Sequence, residues 1–192
     1  EISDSENDKS KKKGRVVRTA ARPFHKDASK PSSRDYTTRK NPMATITLTP
    51  EGVAGDYNHY RTQALASTPD RAISILTTDA VKFVRTLYSN SQDGDLGENI
   101  LIDGIHSRAI KVGERYRFGE IAVVQITEPI EPCANLCKLP YINDPTITQP
   151  RQRLERCKHF INKLDSYDGL RGWYAKVIQP GDVKVGDLLQ LA

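Results

Sequence analysis

The sequence predicts a mainly β fold, a barrel or sandwich with two or three short helices. Three observations support this: β-branched runs of four to seven residues recur, Gly, Pro and Asn turns separate them, and helical apolar spacing is confined to two segments. Closure into a barrel would leave no exposed strand edges. A chain of 192 residues with 37% hydrophobic content supports one sizeable core, so one domain is expected.

Residues 1–13 hold almost no apolar side chains and are expected to be a disordered basic and polar tail, with the domain running over 14–192. Gly14 to Ala20 has the β-branched content of a first strand. Residues 22–42 are rich in Lys, Arg, Ser and Pro and lack periodicity, so a mobile insertion or a lid is expected there. Thr45 to Thr49 alternates polar and apolar as a half-buried strand does, and Pro50-Glu51-Gly52 closes it. Ala72 to Leu76 is a further strand. Thr77 or Thr78 then caps a helix whose Val81, Val84, Leu87 and Tyr88 lie on one face, ended by Asn90 to Gly94.

Strands follow at Asn99–Ile102, Arg115–Phe118 and Ile121–Thr127, the last two around a Gly119-Glu120 turn. Leu154, Cys157, Phe160, Ile161 and Leu164 mark an amphipathic helix over residues 151–164. Trp173–Ile178 and Leu188–Leu191 are the closing strands, joined through Pro180-Gly181-Asp182.

The net charge of +5 is unevenly placed. Residues 1–45 hold 12 Lys/Arg against 6 Asp/Glu, and residues 46–192 hold 17 against 18. The lysine run near residue 11 therefore reads as a solvated tail on a nearly neutral domain, and a nucleic-acid partner is not expected. No run is long and apolar enough for a membrane helix, and no secretory signal is visible. Three cysteines at uneven spacing cannot all pair within the chain, and a cytoplasmic location is expected. Cys157 falls on the apolar stripe of its helix and reads as a buried core thiol, while Cys137 is either packing or a resolving thiol. Cys133 and Cys137 lack zinc spacing, and no second pair completes four ligands.

Four segments occur in a distinctive order: Gly52-Val53-Ala54-Gly55-Asp56-Tyr57-Asn58-His59, then Gly94-Asp95-Leu96-Gly97-Glu98-Asn99-Ile100, then Glu128-Pro129-Ile130-Glu131-Pro132-Cys133, then Gly169-Leu170-Arg171-Gly172-Trp173-Tyr174. Together they resemble the MOSC domain family, named after the C-terminal part of molybdenum cofactor sulfurases. The resemblance spans about residues 14 to 191 and is closest to short stand-alone bacterial-type members. It implies a closed mixed β-barrel like that of pyruvate kinase, and a pocket for the molybdenum cofactor, molybdopterin. It also implies Cys133 as the reactive centre and metal ligand. Oxidoreductase chemistry such as reduction of N-hydroxylated compounds, fed by a redox partner, follows from the enzymatic branch. The alternative is a sulfur-carrier or cofactor-handling module with a Cys133 persulfide charged by a cysteine desulfurase. Members fused to pyridoxal-phosphate desulfurases bring that association.

The residues suit such a pocket. Molybdopterin carries a dithiolene, a pterin edge and a phosphate, so its site needs amide partners, close backbone N–H groups and positive charge. Gly97 permits close approach, and Glu98 and Asn99 either offer polar contacts to a pterin edge or are solvated in a plain turn. Asp56 and His59, in a loop after a glycine, either orient a ligand or bond the backbone. Arg171, between glycines and before Trp173, is either a phosphate-binding guanidinium or a surface charge. Lys26 and Lys30 lie where the resemblance places anion-binding residues. A short helix after Pro132 would set Cys133 near its N-terminus and favour the thiolate.

Overall fold

Seven strands close on themselves in the computed structural model, which describes residues 12–23 and 39–192. The strands are β1 (Lys13–Ala21), β2 (Asn41–Met43), β3 (Thr45–Thr49), β4 (Gly52–Val53), β5 (Ile73–Thr77), β6 (Ile100–Asp103), β7 (Arg115–Phe118), β8 (Ala122–Pro129), β9 (Trp173–Gln179), β10 (Gly181–Lys184) and β11 (Leu188–Leu191). The order β11-β7-β8-β9-β5-β6-β1 returns to β11 through Lys13 opposite Gln190 and Arg15 opposite Leu188. β2 extends the far end of β1, and β10-β3-β4 form a second, three-stranded sheet. The helices are α1 (His59–Ala64), α2 (Thr78–Leu87) and α3 (Pro150–Leu164). The closed mixed barrel expected from the resemblance is therefore the observed fold.

One pair makes the barrel mixed. β5 and β6 run parallel, with Ile75 opposite Ile100 and Thr77 opposite Ile102. A parallel pair needs a crossover, and α2 supplies it. The same pair is buried on both faces, as parallel strands usually are. Ile73, Ile75, Ile100 and Ile102 point into the barrel with Tyr116, Phe118 and Val124, whereas Leu76 and Leu101 join Val81, Val84, Leu136, Phe160 and Leu164 in a second cluster. Each large side chain buried this way contributes roughly 1.5–3 kcal/mol.

Several expectations are corrected. Pro180-Gly181-Asp182 is no plain turn, because β10 begins at Gly181 and pairs with β3 from Leu48 to Thr45. Part of the stretch read as aperiodic is β2, bonded to β1 from Ala21 to Thr19. The tail expectation for 1–13 and the insertion or lid expected over 22–42 fall mostly outside the described residues. Leu154 does not join the buried face of α3; it is 52% exposed, and the helix buries only Phe160 and Leu164. Cys157 is not a core thiol either. It is disulfide-bonded to Cys137, with Cα atoms 5.1 Å apart, so Cys137 is not a free resolving thiol. The helix expected after Pro132 is a five-residue 3-10 turn, Ala134–Lys138, capped by Cys133. Among the described residues no helix is long and apolar enough to cross a membrane.

Glycines fix two of the loops that carry the motifs. Gly169 has φ +84°, and a Cβ there would lie 2.3 Å from the Trp173 indole. Gly94 has φ +92°, and its Cβ would meet the Arg18 guanidinium at 2.6 Å. Arg18 needs that space because its Nη1 donates to Glu98 Oε1 at 3.0 Å and its Nη2 to the Lys40 carbonyl at 2.8 Å. Burial raises the Glu98 pKa, with the Arg18 charge opposing it.

Two outcomes follow. Gly169→Ala should destabilise the chain by roughly 2–4 kcal/mol through positive φ and overpacking, whereas Gly55→Ala, with nothing near its Cβ, should cost about 1 kcal/mol. Urea midpoints that shift equally in the two variants would defeat this account. For Glu98, the folded pKa lies above the ordinary 4.5, so its contribution is fully present below that value and is lost as pH rises through the folded pKa. The stability of the native chain relative to Glu98→Gln should therefore fall as pH rises above the ordinary carboxyl value of 4.5, and a pH-independent difference would contradict it.

Candidate functional site

The site is built outward from Asn99, which is 2% exposed at the start of β6. Its Oδ1 accepts from the Ser74 backbone N–H at 3.1 Å and from the Ser74 hydroxyl at 3.0 Å. Its Nδ2 donates to the Ala20 carbonyl at 3.1 Å and to Asp56 Oδ2 at 3.0 Å. One amide thus joins the end of β1, the middle of β5 and the loop after β4. Asp56 in turn accepts from the Arg22 backbone N–H at 2.6 Å and from the Lys40 ammonium. Lys40 is only 5% exposed; burial lowers its pKa, and the Asp56 charge opposes that shift.

Above this hub lies a polar cleft of about 380 Å³, open to solvent. Asp56, Asn99 and Lys40 line it together with Arg61, Arg71 and Tyr174. Arg61, on α1, is aimed by hydrogen bonds from Nε to the Thr68 carbonyl at 3.0 Å and from Nη2 to the Ser67 carbonyl at 3.1 Å. Arg71 ends a 3-10 turn, Pro69–Arg71, and grips Glu128 with two bonds, 2.5 and 3.0 Å. Its guanidinium also stands 5.1 Å over the Tyr174 ring, a cation–π contact that holds both groups at the cleft wall.

Tyr174 stands in the cleft wall. Burial raises the phenol pKa; Arg171 and Arg71 pull it down, and the charges of Cys133 and Glu128 push it up. Cys133 therefore lies within electrostatic reach of the cleft wall. Its side chain is exposed and free, and its carbonyl accepts from the Leu136 N–H at 3.0 Å to start the turn it caps. Among the described residues no group of three or more His, Cys, Asp or Glu side chains is placed to hold a metal ion. A metal at Cys133 would need its other ligands from elsewhere.

The motif residues divide into two groups. Asp56 and Asn99 reach the cleft wall. Gly97, Glu98 and Arg171 stand behind it: the Gly97 carbonyl accepts weakly from the Ser74 hydroxyl at 3.5 Å, and Arg171 Nη2 donates to the Leu96 carbonyl at 2.6 Å. Glu98 Oε2 and Arg171 Nε are buried with no hydrogen-bond partner among the described residues. His59 opens α1 instead of lying in a loop, with Asn58 as its N-cap accepting from the Arg61 N–H at 2.9 Å. That cap was legible, since Asn is a favoured N-cap residue. Lys26 and Lys30 lie outside the described residues. Lys40, Arg61 and Arg71 were missed, because no local pattern distinguishes them from surface residues, and Tyr174 was not singled out within the fourth motif segment.

The MOSC domain profile matches residues 62–190. The uncharacterized protein YflK of Bacillus subtilis strain 168 is 26% identical over 124 residues, which are 64% of this chain and 48% of that protein, so the chain spans about half the length of the curated relative it matches. Among solved structures, the YuaD protein from Bacillus subtilis superposes with a TM-score of 0.69 at 17% identity, covering 93% of this chain and 95% of that one. YiiM from Geobacillus stearothermophilus gives 0.61 at 18% identity, over 93% of this chain and 75% of that one. YiiM from Escherichia coli gives 0.58 at 20% identity, over 94% and 69%. At these identities the structures speak for the fold, and the profile, which covers more than half of the chain, speaks for the family: the chain belongs to the MOSC domain family, a family associated with the molybdenum cofactor.

Proposed function

We propose that the polar cleft binds the molybdenum cofactor and that the Cys133 thiolate ligates its metal. The observation that carries this reading is Cys133, the one cysteine outside the disulfide, exposed on its turn and near enough for its charge to act on Tyr174 in the cleft wall. A thiolate is a soft ligand suited to such a metal. Lys40, Arg61 and Arg71 give the cleft the positive charge that a phosphate-bearing, anionic cofactor requires.

The fit assigns distinct roles to the motif residues. Asp56 holds Lys40 at the cleft wall, and Asn99 holds Asp56. The Asn99 amide is fully engaged with the protein, so it acts by fixing its neighbours. Arg171 and Glu98 keep the loop of residues 94–99 in place from behind. Gly97, His59 and Lys30 keep the cofactor-binding roles implied by the resemblance. Bound molybdenum would supply two-electron chemistry such as reduction of N-hydroxylated compounds, with electrons from a redox partner. The same exposed, free thiol also suits a second reading, a persulfide on Cys133 charged by a cysteine desulfurase.

Purification from a cofactor-producing host, with molybdenum and pterin assayed together, tests the reading. Cys133→Ser replaces an ionisable soft sulfur with a hard hydroxyl, so molybdenum content should fall about tenfold or more. Pterin should fall less, since the cleft cations remain. Equal molybdenum in both proteins would refute ligation by Cys133. Absence of molybdenum together with sulfur labelling of wild type, lost in Cys133→Ser, would establish the carrier reading instead.

A further inference from the structure

We propose that the Cys137–Cys157 disulfide is a reducible tether that sets the presentation and reactivity of Cys133. All three cysteines converge on one short piece of structure. Cys133 caps the turn Ala134–Lys138, and Cys137 lies inside that turn. Cys157 sits in the middle of α3, and the cross-link spans twenty residues of sequence.

Side-chain packing holds the rest of this region, with Leu136, Leu139, Tyr141 and Ile142 in one buried cluster with Phe160 and Leu164. The buried residues of α3, Phe160 and Leu164, both lie C-terminal to Cys157. On the N-terminal side, Arg156 donates to the Tyr141 carbonyl at 3.0 and 2.7 Å and stands 4.8 Å over the Tyr88 ring. The turn is anchored by buried Leu136, with Leu139 buried just after it. A five-residue 3-10 turn has little stability of its own, so its geometry depends on what fastens its ends. At the Cys137 end, the disulfide adds a covalent link to that fastening. Opening it leaves Leu136 and Leu139 in the core and frees the turn to adjust, loosening Cys133 without unfolding the barrel.

The chemistry balances with a dithiol reductant, either a small molecule or a dithiol protein. Its thiolate attacks one sulfur of the pair, a mixed disulfide forms, and its second thiol displaces the protein thiolate. The reductant gives up two electrons and two protons and becomes a disulfide, and Cys137 and Cys157 become thiols. Both cysteines are partly exposed, which leaves the bond open to attack. The consequence for cofactor retention rests on the reading of Cys133 as metal ligand; the mechanical coupling does not.

The test compares the oxidised full chain with the same chain after mild dithiothreitol reduction and with the double variant Cys137→Ser/Cys157→Ser. Iodoacetamide alkylation of Cys133 is followed at the peptide level, alongside amide hydrogen exchange. Opening the tether should change the Cys133 alkylation rate at least about threefold and speed exchange over residues 134–157, leaving β7 and β8 protected. Unchanged alkylation and exchange in reduced chain would overturn the proposal, as would three free thiols in chain exposed to oxidant. If the double variant does not fold, reduced wild type alone decides. Molybdenum is assayed on the same samples: its absence from oxidised chain would count against the cofactor reading and leave the alkylation result to judge the tether.

Discussion

The Asn99 carboxamide is the constraint on which barrel and cleft both depend. Its four side-chain hydrogen bonds reach Ser74, Ala20 and Asp56, so a single buried group sets the register of β5, the end of β1 and the loop after β4. Each such bond is worth about 0.5–1.5 kcal/mol net, but a buried amide left unpaired costs more than that. The network is therefore satisfied as a whole or disrupted as a whole. Asp56 passes the constraint on to Lys40, and Lys40 offers its carbonyl to Arg18, whose other arm holds Glu98. The loop of residues 94–99 and the segment leading into β2 are thereby locked to each other through side chains that also face the cleft.

Much of the fold was legible because the barrel strands obey simple periodicities. β3, β5, β6, β7, β9 and β11 begin and end within a residue or two of the runs that announced them, β-branched in β3, β5 and β6 and aromatic or leucine-rich in β7 and β11. β10 was illegible for a physical reason: its sequence begins with the Gly of a Pro-Gly-Asp turn signal, and only pairing with β3 makes it a strand. β2 contains a proline and three exposed residues, so nothing local distinguishes it from a loop. The disulfide was illegible because the apolar stripe on α3 leaves the helix's rotation undetermined. Turning Phe160 and Leu164 inward exposes Leu154 and brings Cys157 to Cys137, an outcome decided by packing and not by spacing.

The candidate site was legible in its scaffold more than in its ligand-facing surface. The glycine-rich motifs mark where backbone must bend, and they do so at Gly94 and Gly169. Polar residues inside such bends are drawn to the nearest unsatisfied backbone or buried charge. Arg171 accordingly spends its guanidinium on the Leu96 carbonyl. The cleft cations come from three segments with no shared pattern, the lead-in to β2, α1 and the turn before β5. Their convergence is a property of the closed barrel.

That convergence also explains the electrostatic character of the cleft. Lys40 is offset by Asp56 and Arg71 by Glu128, so neither is an isolated cation, and their heads are held in fixed positions by partners in the loop after β4 and on β8. Preorganised, partly compensated charges bind an anion without first having to be gathered and desolvated. Tyr174 adds a phenol to that wall: burial raises its pKa, and the Arg71 guanidinium stands over its ring. A ligand entering from solvent thus meets positive charge and a phenol in the cleft.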